Sequence, residues 1–101
     1  MSIIIIWITQ GLRKHPKPYN FNEVNILDIN QIKKYKKLGL NISYYRKAKG
    51  YTQLQLSELL DIDRTHMGNI ELANSGVSLD VLFKMSDLLE IPVYNFFEFR
   101  D

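Results

Sequence analysis

Cysteine is absent from this chain of 101 residues. Disulfides, thiolate metal sites and cysteine nucleophiles are excluded with it. Histidine occurs only as His15 and His66, far apart and without partners at ligand spacing, so no metal site is expected. Glycine-rich phosphate loops, nucleophile elbows and H-E-x-x-H pairs are missing as well. The carboxylates fall mostly at helix caps or on exposed helical positions. These absences argue against an enzyme, and no cofactor is expected. Long apolar runs are also lacking. The opening "MSIIIIWITQG" stops being apolar at Ile8 and has no basic n-region and no small-residue cleavage site. It falls far short of the about 20 apolar residues that cross a membrane. The expectation is a cytoplasmic protein with no membrane association.

Acidic residues are scarce in one half. Residues 1–50 hold 10 Lys/Arg against 2 Asp/Glu, residues 51–101 hold 3 against 9, and the net charge is +2. Such asymmetry fits a polyanionic partner, and it fits two solvated faces equally well. What remains is ordinary. Hydrophobic residues are 46% and charged residues 24%, the values of a soluble globular domain, and the length suits one.

Two domain-level segments are legible. Residues 1–27 form an extension, in which "IIIIWI" at 3–8 has the β-branched composition of a short strand. Residues 9–27 read as a linker, because Pro16 and Pro18 bar a helix. Residues 28–101 are helical in pattern. Asp28 is placed to cap "INQIKKYKK", and Leu38, Ile42 and Tyr45 continue an apolar stripe towards Gly50, a fitting stop. Gly39 interrupts the stripe, which leaves one kinked helix and two consecutive helices both open.

Thr52 and Gln55 form a T-x-x-Q capping box, and Leu56, Leu59 and Leu60 are the expected buried side of the next helix. The connection "DID" has room only for a tight turn. Asp61 is expected in the left-handed region, Ile62 plugging the core, and Asp63 capping a helix over 64–72. Ser78 caps a fourth helix with core positions Leu79, Leu82, Met85, Ser86 and Leu89. Pro92 suits the first turn of a short last helix, "VYNFFEF".

The third helix is unusual. It keeps Met67 and Ile70 for a core, while Thr65, Gly68, Asn69 and Leu72 face outward, flanked by Arg64 and His66. A helix whose outer face is small and hydrogen-bonding can enter the major groove of DNA. There Asn reads adenine, Arg reads guanine and a Thr methyl meets a thymine methyl.

The run "YRKAKGYTQ", "LSELLDID", "IE", "SLDVLFKMSDLLEIP", "FF" over residues 38–97 resembles the helix-turn-helix domain of phage repressors and Cro proteins, the Xre-like family. The resemblance implies an all-α, five-helix repressor-like fold behind the amino-terminal extension. It implies a sequence-specific regulator, a repressor binding a palindromic operator in double-stranded DNA as a homodimer. Implied DNA contacts are Thr52, Gln53, Arg64, Thr65, His66, Asn69 and Asn74. Arg46 and Glu71 match positions of a partly buried ion pair, and Ser57 stands at the close helix crossing where the family usually has Ala.

There are departures. Asn69, Leu72, Asn74 and Ser75 occupy places where the family often has Lys or Arg, and Ala73 and Val77 replace a usual Gly and Pro. A protein-interaction module, or an antitoxin partnered with a toxin, is therefore the alternative on the same fold. The basic run "KKYKK" at 33–37, with Lys47 and Lys49, either compensates at the DNA backbone or forms a solvated face. Two dimer contacts also remain open, the strand at 3–8 and the aromatic last helix.

Overall fold

The computed structural model describes residues 31–99. The strand at 3–8, the linker at 9–27 and the cap at Asp28 lie outside the described residues. Within them are four α-helices and a 3-10 helix: α1 (Ile32–Lys49), α2 (Gln53–Leu60), α3 (Arg64–Glu71), α4 (Leu79–Leu89) and Val93–Phe97. The last of the five expected helices is thus a single 3-10 stretch. Pro92 precedes it at the cap rather than opening it.

One core joins all five. Leu38 and Ile42 of α1 meet Leu56 and Leu60 of α2, Met67 and Ile70 of α3, Leu82, Met85 and Leu89 of α4, and Phe96. Tyr45 packs edge-on against Phe96 with ring centroids 6.1 Å apart. Asn41 donates its side-chain amide to the Phe96 carbonyl at 2.8 Å, which pins the 3-10 helix to α1. Two expected core positions are exposed, Leu59 at 54% and Leu79 at 37%, and Ser86 is half-buried. In so short a helix as α2, Leu56 and Leu60 already fill the inward stripe, and Leu59 falls beside it.

α1 runs unbroken through Gly39. The reason is tertiary. A Cβ at Gly39 would lie 2.5 Å from the Glu71 carbonyl oxygen and 2.8 Å from that of Ile70. The glycine is the point where α1 and the end of α3 touch backbone to side, not a hinge.

The helix boundaries follow local chemistry. Thr52 accepts from the Gln55 amide at 3.0 Å while the Gln55 side chain accepts from the Thr52 amide at 2.9 Å, a complete capping box. Ser78 caps α4 by accepting from the Val81 amide. Asp61, Glu90 and Ala73 take left-handed backbone at φ 57°, 57° and 62°. At Asp61 the turn closes with the Ile62 amide donating to the Ser57 carbonyl. Asp63 occupies the cap position of α3 but its side chain makes no capping bond. Ser57 is fully buried where α2 crosses its neighbours, and its hydroxyl donates to the Leu54 carbonyl at 2.8 Å. Lys49 and Glu90 pair at the surface, joining the end of α1 to the end of α4. No described helix is long and apolar enough to cross a membrane.

Candidate nucleic-acid interface

α2 and α3 are joined by only Asp61, Ile62 and Asp63, so the second helix must cross the first closely. Met67, Ile70 and Glu71 are buried, which turns Arg64, Thr65, Gly68 and Asn69 outward. On that outer side an open concavity is lined by Gln53 of α2, by Arg64, Thr65, Gly68, Asn69 and Leu72, and by Leu40, Ser43 and Lys47 of α1. Arg64 and Lys47 give it positive charge from two different helices.

A buried ionic link fixes its floor. Arg46 donates from Nε to Glu71 Oε2 at 2.6 Å and from a terminal nitrogen to Glu71 Oε1 at 3.0 Å. The other terminal nitrogen of Arg46 donates to the Tyr51 carbonyl at 2.8 Å. Gln53 then donates to Glu71 Oε1 at 3.0 Å. Burial pushes the Glu71 carboxyl up, but the hydrogen bonds from Arg46 and Gln53, the Arg46 charge and the Ser43 hydroxyl hold it below its usual value. The expected pair is present, and it orients Gln53 as well as joining α1 to α3. With its amide nitrogen committed to Glu71, Gln53 keeps its amide oxygen beside Gly68, 3.6 Å from where a Cβ would stand.

Of the residues expected at DNA, Gln53, Arg64, Thr65 and Asn69 come together in this concavity. His66 does not. It lines a separate depression with Glu58, Asp61, Ile62 and Asp63. Thr52 is exposed at the start of α2, its hydroxyl oxygen accepting from the Gln55 amide. Asn74 is exposed in the loop after α3, and its amide donates to the Asn69 carbonyl at 2.8 Å. Leu40 and Ser43 were not singled out from sequence as part of such a surface. Once α1 is a single helix their spacing with Lys47 places all three on one strip. Among the described residues no cluster of His, Asp or Glu could hold a metal ion.

Comparison with known proteins agrees with this geometry. A helix-turn-helix family model, HTH_3, matches residues 42–95, more than half of the chain. The chain belongs to the HTH_3 helix-turn-helix family, the Xre/Cro type of DNA-binding regulator. Among solved structures it is similar to the restriction-modification controller protein C.AhdI from Aeromonas hydrophila, at 32% identity and a TM-score of 0.59 over 62% of this chain and 96% of that one. It is also similar to a hypothetical transcription factor, NHTF, from Neisseria, at 25% identity and a TM-score of 0.60 over 63% and 72% of the two chains. The clp gene regulator ClgR from C. glutamicum shares the fold, with 22% identity and a TM-score of 0.57 over 61% of this chain and 80% of that one. A comparison with curated proteins gives no match.

Proposed function

We propose that this chain is a sequence-specific transcriptional repressor that binds a palindromic operator as a homodimer, with α3 lying in the major groove. The observation that carries this reading is the concavity in which Gln53, Thr65 and Asn69 stand together over a rigid ionic floor. Their amide and hydroxyl groups match base-edge donors and acceptors, and the groove is about 12 Å wide, enough for one helix. Gly68 keeps the middle of that face low. The likeness to a restriction-modification controller and a hypothetical transcription factor supports a regulatory role.

One chain presents one such helix, and specific operators pair two half-sites about 34 Å apart. Phe83 of α4 and Tyr94 and Phe97 of the 3-10 helix are exposed and offer an apolar surface for a second copy.

The test begins with a duplex selected from a random-site pool. Asn69→Ala and Gln53→Ala are each expected to weaken binding to it by about 1–3 kcal/mol and to relax base preference. Asn69→Ala leaves the thermal midpoint unchanged, while Gln53→Ala removes one hydrogen bond to Glu71 and costs about 1 kcal/mol of stability. Equal affinity of both variants and the parent would remove the reading role from this face.

Gly68→Ala separates binding from folding. The methyl meets only the Gln53 side-chain oxygen at ordinary contact distance, 3.6 Å. Stability is therefore expected to rise by about 1 kcal/mol, the helix-propensity gain of Ala over Gly, while affinity for the selected duplex falls. A variant that unfolds more readily than the parent would contradict the packing described for Gln53 over Gly68.

A further inference from the structure

The helix-turn-helix is short of cations. Between Gln53 and Gly76 the one Lys or Arg is Arg64. Phosphate neutralisation by Lys and Arg supplies essentially all of non-specific DNA affinity, so other residues have to provide it.

The second wall of the concavity comes from α1, through Leu40, Ser43 and Lys47. Because α1 is continuous through Gly39, its helical periodicity can be followed back from that wall. Lys36 and Lys33 precede Leu40 by one and two turns on the same strip, and Lys33, Lys36 and Lys47 are all exposed. The other lysines of α1 are turned elsewhere. Lys37, on the flank of the strip, shares a second depression with Leu40, Tyr44 and Phe99 and lies 5.9 Å from the Phe99 ring centroid. Lys34 lines a groove with Phe97 and Phe99, on the side of the 3-10 helix. Lys49 pairs with Glu90 of α4. The sequence run "KKYKK" is therefore split: Lys33 and Lys36 continue the strip of the concavity, while Lys34 and Lys37 lean towards Phe97 and Phe99.

Resting on the DNA-binding reading above, we propose that α1 is a second DNA-contacting element, in which Lys33, Lys36 and Lys47 bind backbone phosphates beside the concavity. Lys34, Lys37 and Lys49 take no part. The three contact lysines span about 21 Å of helix at ~1.5 Å per residue. The apolar Leu40, between them, faces the sugars. Lysines from both ends of α1 thus replace the missing cations at the end of α3.

Two triple variants of the full chain, equal in charge, test this. Lys33→Gln/Lys36→Gln/Lys47→Gln is compared with Lys34→Gln/Lys37→Gln/Lys49→Gln by titrating a mixed-sequence linear duplex at several salt concentrations. Circular dichroism checks that both variants fold as the parent does. The first variant is expected to flatten the slope of log affinity against log salt by about 2.7, at about 0.9 per lost phosphate contact. The second is expected to keep the parental slope. An equal change in both variants would mean general charge attraction and would overturn the assignment. An unchanged slope in the first, with a parent that binds DNA in a salt-dependent way, would overturn it while leaving the α3 reading intact. A parent that fails to bind the duplex would remove both.

Discussion

Glu71→Ala is expected to destabilise the domain by about 3–5 kcal/mol, because it strands a buried guanidinium. Both partners are almost fully covered, with side-chain exposures of 8% for Arg46 and 5% for Glu71. Removal of the carboxylate leaves Arg46 with the Tyr51 carbonyl alone and leaves Gln53 without its anchor. A domain of this size loses about 4–8 °C of thermal midpoint per kcal/mol, so the effect is large in a melting curve. The double variant Arg46→Met/Glu71→Leu should recover much of the loss, since desolvating a charge pair roughly offsets its attraction. It would still bind DNA poorly, having released Gln53.

The pair also contributes to the acid dependence of stability. The folded-state carboxyl of Glu71 titrates below its usual 4.5. Its contribution to stability is therefore complete above that value and is lost as pH falls through the lower folded value. Glu71→Gln should lack this part of the acid dependence. A Glu71→Ala protein with the parental denaturation midpoint would show that the link does not hold α1 to α3.

Gly39→Ala is the second large effect. The three nearest atoms to an added Cβ are backbone atoms of Ile70 and Glu71, at 2.5 to 2.9 Å, and backbone cannot swing aside as a side chain does. α1 and α3 have to part, and the Arg46–Glu71 geometry with them. The propensity gain of about 1 kcal/mol for Ala in a helix is outweighed, and a net loss of about 2–3 kcal/mol is expected from overpacking. The contrast with Gly68→Ala is informative, because the same chemical change at two helical glycines should move the midpoint in opposite directions. A Gly39→Ala protein more stable than the parent would contradict the close approach.

These two glycines also show what a sequence can and cannot convey. The T-x-x-Q box at Thr52, the Ser78 cap and the left-handed Asp61 are local, set by residues three or four apart, and the structure has them as expected. The Arg46–Glu71 pair is not local; the family register points to it, and a helical wheel that places Glu71 near Met67 on the inward side agrees. Gly39 reads from sequence as an interruption because its partner, the backbone at the end of α3, lies some thirty positions further along the chain. Asp63 has the right identity for a cap, yet its side chain does not bond to the α3 amides. Gln53, Arg64, Thr65 and Asn69 could be gathered from a helical wheel and the family register. Ser43 and Leu40 could not, since the wall that they form depends on how α1 packs against α3, and for Lys47 the sequence left a DNA-backbone contact and a solvated face both open.

The central claim is that the outer face of α3 reads base sequence as one half of a symmetric pair. Selection of duplexes from a random-site pool by the full chain tests it most directly. An enriched two-fold symmetric consensus is expected, with half-sites about 10 base pairs or a multiple of that apart. In the same selection Asn69→Ala should lose preference at matched positions in both halves. Retention of DNA with no enriched sequence, or a consensus that Asn69→Ala leaves unchanged, would contradict it.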